Sequence, residues 1–169
     1  MKPSDVIQRL AANKLVFQQL LESKSSEEYL FKPNQNGWCL LEVVCHLLDE
    51  EVEDFRARVG QILVTPDLPL TPIAPHKWPE ERNYLQKDFD YTLHTFLAER
   101  QNSVEWLSAL KSPDWSQTVD HPEVGPRSAK KFLVNWLAHD YHHIRQINSM
   151  NHAFLKNSSG DDLTYAGKW

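Results

Sequence analysis

The chain has 169 residues and a mass of 19.7 kDa, with 41% hydrophobic and 24% charged residues. That profile excludes a disordered or fibrous chain, and the length suits a single domain over residues 1–169 that folds without staples. A formal net charge of −5 and a pI near 5.9 leave no basic surplus for phosphates, so no nucleic-acid partner is expected.

Ser4 and Asp5 are N-cap candidates ahead of Val6, Leu10, Phe17, Leu20 and Leu21, and this spacing predicts a first helix over residues 4 to 23. The same stretch lacks the compact apolar core of a signal peptide. Ser25 and Ser26 open a polar break, Tyr29 to Phe31 form a short apolar patch, and residues 33 to 37 read as a loop. Trp38 opens a second helix to about residue 63, in which Leu41, Val44, Leu48, Val52, Phe55 and Val59 form a bundle seam. His46 falls to one side of that seam, near Glu42, Asp49, Glu50 and Glu53. Cys39 and Cys45 lie on different faces of this helix, badly placed to bridge, which fits a reducing, cytoplasmic setting.

Residues 64 to 79 hold five of the ten prolines, Pro66, Pro69, Pro72, Pro75 and Pro79, and this excludes helix and disfavours strand. The stretch reads as a long, stiff crossover between helices 2 and 3; it carries His76, and loops of this length often wall a site. A third helix follows Pro79 and runs to about residue 110 on a stripe of Leu85, Phe89, Leu93, Phe96, Leu97, Val104, Leu107 and Leu110. Pro113 to Trp115 breaks it, and residues 116 to 126, with Pro122, Gly125 and Pro126, form another connection. A fourth helix spans residues 128 to 150 with an apolar face of Phe132, Leu133, Trp136, Leu137, Ile144 and Ile147. His139 and His143 sit at one edge of that face, in line with Phe132 and Trp136, whereas His142 points elsewhere. Asp140 is nearer the centre, where a carboxylate needs a partner. The tail from about residue 152 to 169 reads as loop, no strand is expected, and no apolar run is long enough to cross a bilayer. The expected fold is all-α, a four-helix bundle.

His139 and His143 are four residues apart, so a helix stacks both imidazoles on one face where they can grip one metal ion. Taken alone the pair is equally two surface histidines, but imidazoles at a core margin can face a cleft, and bundle cores are where such folds build metal sites. A third ligand is then required. His46 leads, against the plain alternative of a solvated histidine on a charged face; His76 comes next, and His94, His121 and His152 have no pattern to recommend them.

The run Gly37-Trp38-Cys39-Leu40-Leu41-Glu42-Val43-Val44-Cys45-His46-Leu47-Leu48-Asp49 resembles the second-helix signature of the DinB-like family (the DinB/YfiT type). The run from Trp136 to Ile147, containing His139-Asp140-Tyr141-His142-His143-Ile144-Arg145-Gln146, resembles its last-helix signature. The two signatures, in this order and this far apart, are much more specific than either alone, and the resemblance extends over most of the chain. Cys39 departs from the more usual Ser or Thr cap, and Arg145-Gln146 replaces the Arg-Gly-Gln of some members; neither departure touches a ligand position. The resemblance implies an up-and-down four-helix bundle binding one divalent metal through His46, His139 and His143. It makes Asp140 and Gln146 supporting or packing groups rather than ligands.

Three neutral imidazoles leave an ion its full charge and an open position, the mark of a catalytic rather than a structural site. Nitrogen ligands suit zinc or nickel, and also iron or copper. Such an ion activates a water or a thiol at neutral pH. Relatives in the resembled family include low-molecular-weight-thiol S-transferases and metal-dependent hydrolases. The expected activity is therefore a metal-dependent transferase or hydrolase of small molecules, with thiol transfer ahead and Glu50 as a candidate general base against the plainer reading of a solvated carboxylate. Two other readings are a non-catalytic metal or ligand sensor, and a module that only forms a homodimer or another interaction. Cys45 as a metal-free nucleophile is weaker, because its direction near the seam suggests a buried thiol.

Overall fold

Local capping sets the helix starts in this computed structural model, which describes residues 1–121, 125–167 and 169. Helix α1, Pro3–Leu21, carries proline at its first position, and the Asp5 carboxylate accepts from the Lys2 N–H at 3.1 Å. The short helix α2, Ser26–Tyr29, closes a capping box in which Glu28 accepts from the Ser25 N–H at 3.0 Å. Helix α3, Leu40–Asp49, begins at Cys39, whose N–H donates to Glu42 at 2.9 Å. It runs unbroken into a π-helical segment, Glu50–Arg56, and then into α4, Ala57–Val64; together these form the second long helix.

After α4, residues 65 to 77 form turns and irregular backbone, leading to α5, Trp78–Glu81, and a 3₁₀ turn at Tyr84–Gln86. Helix α6, Phe89–Ala109, is capped by Asp88, which accepts from the Tyr91 N–H at 2.7 Å. Strands β1, Thr118–His121, and β2, Gly125–Ser128, pair antiparallel with Thr118 opposite Ser128. Helix α7, Ala129–Ser159, is capped by Ser128, whose hydroxyl accepts from the Lys131 N–H at 3.1 Å, and it stops at Gly160, which takes φ +69°. No helix among the described residues is long and apolar enough to cross a membrane.

Four long helices make the expected bundle, with α1 and the second helix each packed between α6 and α7. Cross-helix contacts fix the directions. Arg9 meets Tyr141 and Leu20 meets Asn151, so α1 and α7 run the same way. Glu51 meets Arg100 and Arg56 meets Ser103, so the second helix runs with α6. His46 lies opposite His139, and Glu51 opposite Trp136, so the second helix runs against α7. The order is thus up, down, down, up rather than alternating, because residues 65 to 88 carry the chain back along the bundle before α6 starts.

The β1–β2 hairpin is a correction to the expectation of no strand. Gly125 and Pro126 give β2 the sequence look of a loop, yet Val119 is buried in a small cluster with Ile62, Leu70 and Ala129 that closes this end of the bundle. Pro122 lies outside the described residues. The core has two larger apolar halves. One surrounds Phe17, Val43, Leu47, Leu93 and Ile147; the other surrounds Leu10, Phe55, Val59, Leu133 and Trp136.

Buried charge lies between them. Arg100, only 1% exposed, donates to Glu51 at 2.9 and 2.8 Å and to both oxygens of Asp140 at 2.7 Å. The Trp136 indole N–H donates to Glu51 at 2.9 Å, and Asn13 donates to Asp140 at 3.0 Å. Burial works against the Arg100 guanidinium, but Glu51 and Asp140 outweigh it and hold it above its usual range.

Candidate metal centre

His46 comes from α3 and faces α7, where the four-residue spacing of His139 and His143 stacks their rings on one side. The Nε2 atoms converge: His139 Nε2 is 3.3 Å from that of His46 and 3.1 Å from that of His143. One nitrogen from each ring lies within 4.8 Å of the other two, which makes the trio able to hold a metal ion. Metal–nitrogen bonds of about 2.0–2.1 Å at tetrahedral angles give nitrogen–nitrogen edges of about 3.3–3.4 Å, so the donor set fits one ion.

Hydrogen bonding prepares the donors. His143 Nδ1–H donates to Gln146 Oε1 at 2.7 Å, which turns the lone pair of its Nε2 toward the other rings. His46 Nδ1 is buried with no hydrogen-bond partner, and Glu50 Oε1 stands 4.0 Å from it. Burial pushes all three imidazoles down, His46 to about 3, His139 to about 2 and His143 to about 4, with Gln146 pulling His143 partly back. All three are neutral donors at pH 7. Burial, reinforced by Asp54, pushes the Glu50 carboxyl up to about 8.

The trio forms the floor of a depression walled by Trp38, His142 and Gln146. The Trp38 ring stands edge-on to His46, with centroids 5.0 Å apart. A second cavity of about 580 Å³ adjoins it and shares Trp38, His142 and Gln146 as lining.

The structure brings His46, His139 and His143 together and leaves the other described histidine side chains out. His76 is exposed in a turn, His94 is exposed with Nδ1 2.7 Å from the Asp90 carbonyl, and His152 stacks on Trp169. His142 is exposed and adds its edge to the depression beside His143. Burial decides two alternatives left open by the sequence, and Asp140 meets its expectation. His46 and Glu50 are not on a solvated charged face; both are buried, at 8% and 6% exposure. Asp140 has the partner its position demands, Arg100, a residue the sequence reading passed over. Its signal was available, since Arg100 falls in register between Leu93, Phe96 and Leu107 on the α6 stripe.

Comparison with known proteins places these features in a family setting. The sequence model described as the DinB superfamily matches residues 9–147. Among solved structures the chain is similar to YfiT from Bacillus subtilis, described as "a probable metal-dependent hydrolase with an unusual four-helix bundle topology". The match has a TM-score of 0.79 at 18% identity and covers 95% of this chain and 89% of that one. No curated protein matches the chain.

Proposed function

The chain belongs to the DinB superfamily, and on that premise we propose that it is a divalent-metal-dependent enzyme acting on small molecules, with His46, His139 and His143 as the metal ligands. One observation carries this reading: three Nε2 atoms from two helices, those of buried His46 and His143 and half-buried His139, converge on the floor of a depression that opens to a cavity. A structural ion would be enclosed by four protein ligands, whereas three leave a side free for substrate.

When bound, zinc or nickel (the metals this donor set suits first, ahead of iron or copper) supplies the Lewis acidity that makes a water or thiol nucleophilic at neutral pH. The chain's own residues do the rest. Gln146 holds the His143 proton on Nδ1 and keeps Nε2 free. Trp38 covers the His46 side of the depression and limits water there. Glu50 Oε1 faces His46 Nδ1 from 4.0 Å, longer than a hydrogen bond, and would have to close in to accept from its N–H. Thiol transfer is the reading carried here, with a low-molecular-weight thiol as co-substrate. The cavity beside the trio, about 580 Å³, has room for an organic co-substrate as well as an electrophile. Hydrolysis is the second reading, favoured by what is said of YfiT.

The test is direct. Protein prepared without a histidine tag is assayed for metal by mass spectrometry beside His46→Ala and His143→Ala. About one ion per wild-type chain is expected, lost in both variants while the helical circular-dichroism signal stays. Wild-type protein that binds no divalent ion on titration would sink the reading. Thiol conjugation against a panel of electrophiles, set beside ester and amide hydrolysis, then separates the two reactions.

A further inference from the structure

The cavity beside the trio differs in charge from the rest of the surface. The chain carries 23 acidic residues and a net charge of −5, yet among the described residues no Asp or Glu side chain lines this cavity. Arg145 does. The other arginines each have a partner: Arg9 holds Tyr141, Arg56 holds Glu99, Arg58 holds Asp54, Arg82 holds Asp49 and Glu53, Arg100 holds Glu51 and Asp140, and Arg127 holds the Pro126 carbonyl. Arg145 has no hydrogen-bond or ion-pair partner among the described residues. A guanidinium offers a planar fork of N–H donors that fits an oxyanion.

We propose that the substrate of the three-histidine site carries a carboxylate, and that Arg145 binds it at the far end of this cavity. The proposal rests on the metal-site reading above and adds a specificity residue to it. A carboxylate is chosen over a phosphate because Arg145 stands in mid-helix, where no free helix N-terminal amides are at hand, and among the described residues the cavity lining adds no second arginine or lysine. Arg145 also gives the substrate a length. At 100° per residue, the arc on α7 from His143 past Gln146 and His142 to Arg145 covers about 160°, so reacting atom and carboxylate are on the order of 10 Å apart. Trp38 and Met150 line the space between, which suits an apolar or flat linker.

Cobalt(II)-loaded protein tests this with two probes, 8-sulfanyloctanoate and its carboxamide. Both can reach the ion with sulfur and are read by the cobalt–thiolate absorption band. The acid is expected to bind at least tenfold more tightly than the amide to the wild type. In Arg145→Leu that preference should vanish, with cobalt content and amide affinity unchanged. Equal binding of acid and amide to the wild type, or a preference that survives in R145L, overturns the proposal and leaves the metal reading standing. Protein that takes up no cobalt overturns the metal reading and this proposal with it, whereas cobalt uptake without a thiolate band from either probe overturns this proposal alone.

Discussion

At His46 the two ring nitrogens meet different surroundings. Nε2 faces His139 at 3.3 Å, while Nδ1 is buried without a hydrogen bond and looks toward Glu50 Oε1 at 4.0 Å. A buried unpaired ring nitrogen is costly, and a histidine that ligates a metal usually gives its other N–H to an acceptor. Glu50 is therefore expected to orient His46. Glu50→Ala should weaken zinc affinity about 10- to 100-fold in competition titrations, and Glu50→Gln, which keeps an acceptor oxygen, should recover most of it. Unchanged affinity in Glu50→Ala would remove Glu50 from the site. Cys45 illustrates the opposite use of burial. Desolvation, with Asp49 adding, pushes its thiol up to about 12, and Cys39 is buried as well. Neither cysteine should react with iodoacetamide in the folded protein at pH 8, and both should react in denaturant, as read by intact mass. Rapid alkylation of the native protein would show that α3 is open where it is described as packed.

The second long helix shows how one irregular turn re-sorts a helix face. A regular 3.6-residue period puts Leu48 and Val52 on the seam. Those two are only partly buried, while Glu50 and Glu51 are 6% and 1% exposed, where the helix enters π geometry over Glu50–Arg56. Glu51 accepts from Arg100 and from the Trp136 indole. A buried ion cluster is poor evidence of stability in itself, but removing one member leaves charge without a counterpart. Arg100→Met is expected to cost about 3–5 kcal/mol in urea unfolding. Joint replacement of Glu51, Arg100 and Asp140 by leucine or methionine should recover part of that; a single variant as stable as the wild type would mean that the cluster is not closed as described. Much of this was legible. Glu51, Arg100 and Asp140 each fall in or beside an apolar stripe, and three misfit charges on three helices of one bundle have to meet. The π turn was not legible, because a helical wheel assumes a constant period and nothing in Glu50 to Arg56 marks a departure from it.

At the scale of the molecule, amphipathic spacing made the four helices readable, and the two histidine-bearing stretches made the trio readable. Helix direction was not, because it depends on where residues 65 to 88 travel rather than on any helix's own pattern. The assembled bundle also sets a pH response that no single segment implies. In metal-free protein, burial places His46, His139 and His143 at about 3, 2 and 4, below an unfolded value near 6.5. A group lowered on folding loses stability as pH falls: the unfolded chain takes up protons that the folded one refuses, and each histidine contributes a slope of up to about 1.4 kcal/mol per pH unit below 6.5. Glu50 has the opposite sign. Raised to about 8, it stays protonated in the folded chain while the unfolded carboxyl ionises near 4.5, so its contribution is lost as pH rises between those values. Three groups pull one way on the acid side and one pulls the other way up to pH 8. Metal-free stability should therefore peak near neutral pH and fall more steeply toward pH 5 than toward pH 8. His46→Gln combined with His143→Gln should flatten the acid arm, and zinc at one hundred times its dissociation constant should add about 2.7 kcal/mol of stability. Chemical unfolding at half-unit pH steps measures all three, and an acid arm equally steep in the double variant would show that the histidines are not buried as neutral groups.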